Sequence, residues 1–126
     1  MRENTPKARW RAGEVTYGAW LSIPSPITAE VMARQGFDWI CIVTMLQAIS
    51  QTDTTPFVRV PWNEPGIIMK MLDAGAMGVI IPMVNTVEEA KAAVGACRYY
   101  PDGYRSFGPT RAALYAGRDY FQHANA

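Results

Sequence analysis

The chain has 126 residues and a formal net charge of +1, with twelve Lys and Arg against eleven Asp and Glu. This length fits one ordinary domain and falls well short of the roughly 250 residues of a complete (β/α)8 barrel. The hydrophobic fraction of 49% is typical of a folded protein, and the balanced charge predicts neither a nucleic-acid nor a membrane-surface partner.

The N-terminus and the cysteines predict a soluble protein. The first fifteen residues are polar and lack the apolar core of a signal peptide, and no apolar run approaches the roughly 18 residues of a membrane span. Cys41 and Cys97 lie in apolar segments without the spacing of a zinc site, and His123 is the sole histidine. We therefore expect a cytoplasmic protein with two free thiols and no histidine-rich metal site.

Four apolar runs, beginning about every twenty residues, have the length and composition of strands. They are Thr16–Ser22, Phe37–Val43, Pro56–Val60 and Gly78–Met83. Helical patterns separate them, so the sequence predicts an α/β fold in which the strands form a parallel sheet.

Residues typical of helix starts and helix ends flank these helical patterns. Ser25 before Pro26 is a typical helix start, and Gly36 is expected to end that helix. Pro65 is expected to begin a second helix, which ends at Gly75. A capping box is predicted at Thr86 and Glu89. The apolar faces expected behind these starts are Ile27 and Val31, then Ile68, Met71 and Leu72, then Val87, Ala90, Val94 and Cys97.

The connection between the second and third strands is unusually short. Only Thr44–Thr55 separate them, and the apolar helical part is about Met45–Ile49. A crossover between parallel strands needs a dozen or more residues, most of them helical. We therefore expect that residues are missing near Ile42 and Val43, and that this crossover is strained.

The third strand carries the best candidate for chemistry. Side chains alternate along a strand, so Val58 and Val60 share one face and Phe57 and Arg59 the other. In a barrel the valine face meets the helices, and Arg59 points inward near the carboxyl end, where barrel enzymes place their active sites. Its planar guanidinium suits a carboxylate. The alternative is an arginine at a strand edge that reaches solvent or an internal Asp.

Other candidates are weaker. Trp20 ends the first strand and could wall a pocket, although a core position is the alternative. Pro82, Met83 and Asn85 follow the fourth strand at the expected pocket rim, and turn formation also explains Asn85. The loop-like segment from Arg98 to Arg111 holds arginines among aromatics, including Arg105. The neutral net charge argues against nucleic-acid stacking there and favours an anion-binding or interface loop.

Three stretches resemble the HpcH/HpaI aldolase family. They are GAWLSIPSPITAEVMARQGFDWICI, PFVRVPWNEPGIIMKMLDAGAMGVIIPMVNTVEEAKAAV and RYYPDGYRSFGPTRA. The likeness runs from about Tyr17 to Asn125. It implies a TIM barrel of the phosphoenolpyruvate/pyruvate type, of which residues 1–126 would form a single N-terminal portion, a partial (β/α)8 barrel of about four βα units.

The resemblance also implies an activity. Family members are carbon–carbon lyases that reversibly cleave a 4-hydroxy-2-oxo acid into pyruvate and an aldehyde. A divalent metal (Mg, Mn or Co) binds the pyruvate enolate and stabilises its developing charge. Arg59 matches the family arginine that assists the keto acid, and Trp20 matches a pocket-lining tryptophan. We assign Arg59 as catalytic and Trp20, Arg59, Pro82 and Arg105 as substrate-binding, with small-molecule partners and a homo-oligomer expected for the intact family.

Two departures from the family pattern bear on activity. The family has an acidic residue and a catalytic histidine after the second strand, whereas here Cys41 and Ile42 run directly into Val43–Gln47. The family's metal ligands, a Glu and an Asp on later strands, match no position of this chain. We therefore expect the first half of an aldolase, with an internal deletion of about a dozen residues, and no activity from this chain alone.

Two other classes stay open. One is a non-catalytic oligomerising or binding fragment. The other is a citrate lyase β-like C–C lyase, which would need a basic region for coenzyme A that the sequence does not display.

Overall fold

The computed structural model describes residues 4–42, 52–117 and 119–125. In chain order its elements are α1 (Thr5–Arg11), β1 (Gly18–Trp20), α2 (Pro26–Ala33), β2 (Trp39–Ile42), β3 (Thr55–Arg59), α3 (Pro65–Asp73), β4 (Gly78–Ile80), α4 (Val87–Cys97), α5 (Thr110–Ala116) and α6 (Tyr120–His123).

The four strands form one parallel sheet in the order β1-β2-β3-β4. Trp20 is paired with Cys41, Cys41 with Phe57, and Phe57 with Gly78. The predicted α/β class and parallel sheet are confirmed. The helix expected at Met45–Ile49, the strain expected in its crossover and the deletion expected at Val43 lie outside the described residues.

The predicted helix starts are also confirmed, because each satisfies backbone N–H groups that have no partner within the helix. The Ser25 hydroxyl accepts from the Thr28 N–H at 3.4 Å. At the predicted capping box, Thr86 Oγ1 accepts from the Glu89 N–H at 3.1 Å, and Glu89 Oε2 accepts from the Thr86 N–H at 3.0 Å. Before Pro65, Glu64 caps α3 through its carboxylate.

The helices cover one face of the sheet. Val58 lies in a buried cluster with Ile40 and with Ala29 and Ala33 of α2. Val60 lies in a second cluster with Ile68 and Leu72 of α3 and Ala96 of α4. The prediction that the valines of the third strand face the helices is therefore confirmed.

Two predicted apolar faces are wrong. Ile27 and Val31 are 75% and 53% exposed, and α2 packs instead through Ala29 and Ala33. In α4, likewise, Val87 and Val94 are 63% and 50% exposed and Ala93 and Ala96 are buried; of the predicted face, Cys97 does pack against the second cluster. Alanines let a helix backbone approach its neighbours closely, whereas the larger valines at these positions lie on the outer side.

Helix α1 was not predicted, although Asn4 before Thr5-Pro6 is a recognisable start signal. The Asn4 side chain accepts from the Lys7 N–H and donates to the Met77 carbonyl at 2.8 Å. Trp10 meets the ring of Phe57 edge-on with centroids 5.8 Å apart. The helix therefore lies across the amino ends of the strands, beneath the face that carries Phe57.

An ion pair joins α1 to the residue just before β2. Arg9 donates to Asp38, just before β2, and Asp38 Oδ2 also accepts from the Tyr17 N–H at 2.8 Å. Helices α5 and α6 were also not predicted. Phe121 of α6 belongs to an aromatic cluster in which Phe107 lies between Tyr99 and Phe121, with ring centroids 5.6 and 4.7 Å away.

Candidate active site at the carboxyl ends of the strands

The face of the sheet away from the helices carries alternating large and small residues. Trp39 stacks on Phe57 with ring centroids 5.4 Å apart and an interplanar angle of 21°. A Cβ atom on Gly18 would lie 2.1 Å from the Trp39 ring, and one on Gly78 would lie 2.7 Å from the Phe57 ring. The two glycines thus provide the room in which two large rings lie against neighbouring strands.

Arg59 stands at the carboxyl end of β3, on the same face as Phe57 by strand alternation. It is exposed, and within the described part of the chain it has no carboxylate partner. Burial raises the pKa of the Cys41 thiol, and the nearby Arg59 partly offsets this rise. The guanidinium is therefore available to an anion at the end of the strands where barrel enzymes bind substrate.

Trp20 and Pro82 reach the same edge of the sheet. Trp20 is the last residue of β1 and is 51% exposed. It therefore does not lie in the core, which was the alternative. Pro82 follows β4 and is half-buried. The structure thus places Trp20, Arg59 and Pro82 at the carboxyl ends of their strands, as predicted from the sequence.

The chain turns sharply just beyond Pro82. Met83 has a φ of 57°, a left-handed conformation that costs a non-glycine residue roughly 1–2 kcal/mol. The Asn85 side-chain amide donates to the Met83 carbonyl at 3.1 Å, and the Asn85 N–H donates to Glu89 Oε2 at 2.7 Å. The turn explanation for Asn85 is confirmed, and Met83, which the sequence places with Pro82 and Asn85 at the expected pocket rim, is 60% exposed there.

Arg105 lies elsewhere. Its side chain is 3% exposed, donates to Asp73 Oδ1 at 2.6 Å and stacks on the Tyr99 ring at 4.5 Å. Asp73 ends α3, which runs back to the amino ends of the strands. Arg105 is therefore not brought together with Arg59, and its predicted role in substrate binding gains no support from this position.

The described residues contain no group of three or more His, Cys, Asp and Glu side chains that could hold a metal ion. They consequently do not fit the divalent metal that the resemblance implies. Among the same residues, no helix is both long and apolar enough to cross a membrane.

A model of the family HpcH/HpaI aldolase/citrate lyase matches residues 16–122. The chain belongs to this family. It is 40% identical to a hydroxypyruvate/pyruvate aldolase of Rhizorhabdus wittichii, over 97% of this chain and 53% of the relative. It is 38% identical to a 4-hydroxy-2-oxo-heptane-1,7-dioate aldolase of Escherichia coli, over 98% of this chain and 53% of the relative.

The same relationship holds in three dimensions. A crystal structure of an HpcH/HpaI aldolase/citrate lyase family protein from Burkholderia cenocepacia superposes with a TM-score of 0.84 and 35% identity. The match covers 98% of this chain and 56% of that protein. The expectation of a partial TIM-barrel fold is thereby confirmed.

The chain spans about half the length of the curated relatives it matches. Inside that span, the alignment with the Rhizorhabdus protein runs over 134 positions, more than the 126 residues of this chain. The relative therefore has residues that this chain lacks within the matched region, which agrees with the expected internal deletion.

Proposed function

We propose that this chain supplies four βα units of a pyruvate-type aldolase barrel, and that Arg59 binds the 2-oxo acid. The reaction is the reversible cleavage of a 4-hydroxy-2-oxo acid into pyruvate and an aldehyde. The observation that carries the proposal is the position of Arg59: a guanidinium without a carboxylate partner among the described residues, at the carboxyl end of a barrel strand.

The neighbours of Arg59 suit a small keto acid. The guanidinium can donate two parallel hydrogen bonds to a carboxylate, or to one carboxylate oxygen and the adjacent keto oxygen. Ile80, its partner in the β3–β4 register, is apolar, and the half-exposed Trp20 stands two strands away on the same edge.

The proposed cleavage breaks the bond between C3 and C4 of the substrate. Water takes the proton of the C4 hydroxyl, which becomes the aldehyde carbonyl, and the bonding pair moves into the enolate of pyruvate, which then takes a proton from water at C3. Arg59 stabilises the negative charge that develops on the enolate oxygen. A divalent metal, when bound, would supply further stabilisation of that oxygen, but the described residues do not offer ligands for it.

Ligand binding tests the role of Arg59 apart from turnover. Oxalate is a planar analogue of the pyruvate enolate, and its binding is followed by quenching of tryptophan fluorescence in the purified chain. Arg59→Ala is expected to weaken binding about tenfold or more, and Arg59→Lys less, because Lys keeps the charge and loses the planar fork. Arg34→Ala, in an exposed pair with Glu30 on α2, is the matched control. Equal binding by Arg59→Ala would contradict the proposal.

Turnover is a separate measurement. We expect the chain alone to release no pyruvate from a 4-hydroxy-2-oxo acid with Mg, Mn or Co present, because the described residues offer neither metal ligands nor a histidine base near Arg59. Robust release would show that this reasoning is wrong. Oxalate binding that depends on Arg59 together with absent turnover is the expected pair of results.

Self-association is a further expectation. Within the described residues β1 and β4 each pair with one neighbour only, so both edges of the sheet are unpaired. Unpaired edges and a half-exposed Trp20 favour association. Light scattering that shows a stable monomer at high concentration would count against a half barrel with free edges.

A further inference from the structure

The helices that follow the two edge strands each carry an exposed apolar stripe. Helix α2, after β1, exposes Ile27 and Val31, and helix α4, after β4, exposes Val87 and Val94. Spacings of four and seven residues place each pair on one side of its helix. Helix α3 follows an inner strand and differs, because its Ile68 is fully buried. Large apolar side chains are thus left uncovered on the two helices that lie nearest the open edges of the sheet.

The chain also exposes more surface than a folded monomer of its size. Its accessible surface is 7612 Å², whereas the size scaling of monomeric proteins gives about 6,700 Å² for a chain of this mass. The excess of about 900 Å² is close to the roughly 800 Å² that each partner buries in a stable protein–protein interface. The additional surface is therefore sufficient for one interface of standard size.

The two open edges are suited to each other. Strands β1 and β4 have three residues each and run in the same direction as the strands between them. A twofold axis along the sheet keeps this direction, so β4 of each copy can pair in parallel with β1 of a second copy. Four strands from each copy give the number that closes a (β/α)8 barrel.

The inner face of the sheet leaves room for such closure. Gly18 of β1 and Gly78 of β4 lie on this face, and the rings of Trp39 and Phe57 occupy the space beside them. Two copies would bring large rings from the inner strands and glycines from the strands at each seam. The interior of a small barrel is filled by this kind of alternation between large and small residues.

We propose that two copies of this chain close one eight-stranded barrel with twofold symmetry. In a barrel, the helix after each strand lies beside the helix after the next strand, so α4 of each copy packs on α2 of the other. This contact covers the stripe of Ile27 and Val31 with that of Val87 and Val94. The net charge of +1 per chain adds little repulsion between the copies.

Closure also completes the surroundings of Arg59, an extension that rests on the proposed function. Arg59 and Trp20 of one copy are two strands apart at the same edge of the sheet. Across the seam the order β3-β4-β1 puts the partner's Trp20 two strands away on the other side. Each guanidinium then lies between two tryptophans, in a mouth without an open sheet edge.

Charge pairing across the seams tests the arrangement. One variant combines Val31→Glu with Val94→Glu, and the other combines Val31→Lys with Val94→Lys. Each variant alone places like charges at both seams, so we expect its dimer dissociation constant to rise about tenfold for each seam. An equal mixture places opposite charges there and should regain the dimer. Lys70→Glu, exposed on α3, is the control and should leave association unchanged.

Analytical ultracentrifugation of the purified 126-residue chain measures the masses. We expect a monomer–dimer equilibrium without larger species, because closure uses both edges of each sheet. Small-angle X-ray scattering of the unaltered chain is the second measurement and does not depend on whether the variants fold. A closed dimer should have a radius of gyration of about 18 Å, as compact domains of twice this length have.

Four results would overturn the proposal. The first is a chain that stays monomeric at high concentration, and the second is an assembly that grows with concentration, since its edges would then pair without closing. The third is a dimer with a radius of gyration well above the compact value, as an open eight-stranded sheet would give. The fourth is a mixture of the two variants that associates no better than either alone. Failure of oxalate to bind at Arg59 would contradict the proposed function and leave all these masses unchanged.

Discussion

Removing one partner of the ion pair between Asp73 and Arg105 should be among the most destabilising polar substitutions in the described chain. The Arg105 side chain is 3% exposed and that of Asp73 is 24% exposed, with Nη2 and Oδ1 2.6 Å apart. Asp73→Ala would leave the guanidinium buried beside Tyr99 without its carboxylate. Breaking a buried pair from one side typically costs about 3–5 kcal/mol, a large part of the roughly 5–15 kcal/mol that stabilises a domain.

A second pair provides the control for this prediction. Arg34 and Glu30 lie one helical turn apart with side chains 62% and 54% exposed, and their atoms are 3.1 Å apart. Such exposed pairs contribute about 0.3–0.5 kcal/mol. Glu30→Ala should therefore change the free energy of unfolding much less than Asp73→Ala, even though each substitution removes one carboxylate from an ion pair.

Urea unfolding followed by tryptophan fluorescence measures both changes. Adding Arg105→Met to Asp73→Ala should recover much of this loss, because the uncompensated charge is removed while an apolar chain still covers Tyr99. The reasoning is refuted if Asp73→Ala costs no more than Glu30→Ala, or if Arg105→Met brings no recovery in the Asp73→Ala background.

Three further predictions concern the glycine contact, the capping box and the α1 ion pair. Gly78→Ala should destabilise the fold by about 1–3 kcal/mol, because the added Cβ meets the Phe57 ring. Phe57→Leu should lessen this loss. Equal urea midpoints for Gly78→Ala and the unaltered chain would contradict this prediction. Thr86→Ala should cost about 1 kcal/mol in the same assay, whereas no loss would argue against the cap. The Asn85 and Thr86 N–H groups lower the pKa of the Glu89 carboxyl group. The stabilisation of the fold by this carboxylate should therefore be fully present above its pKa in the unfolded chain, and it should be lost as the pH falls through its pKa in the folded chain. Glu89→Gln should remove this part of the pH dependence. Asp38→Ala should cost about 1 kcal/mol, as a shift in thermal midpoint would report, because the Tyr17 N–H loses its acceptor and Arg9 loses one of its two carboxylate partners, Glu14 being the other.

Local patterns predicted much of the fold. Strand runs and helix starts depend on neighbouring residues only, and the capping box at Thr86 and the start at Ser25 were found where the sequence predicted them. Strand alternation also placed Arg59 on the face away from the helices. The apolar faces of α2 and α4 were predicted wrongly, because spacing indicates that a helix is amphipathic but not whether its valines or its alanines meet the sheet.

The residues of the candidate site, like the fold, were predictable from the sequence only where their position depends on local structure. Position at the end of a strand is a local property, so Trp20, Arg59 and Pro82 could be assigned to one edge from the order of the elements. Arg105 could not, because its place depends on how the chain after α4 folds back over the end of α3, which no spacing in the sequence encodes.

By itself, then, the sequence determined the strands, the caps, the family resemblance and the arginine at the end of β3, all of which follow from residues close together in the chain. Only the tertiary structure decided that Arg105 pairs with Asp73, and that Asn4 donates to the Met77 carbonyl. These contacts join residues 32 and 73 positions apart, and their energies depend on burial, which exists only once helices α1, α3 and α4 have packed around the sheet.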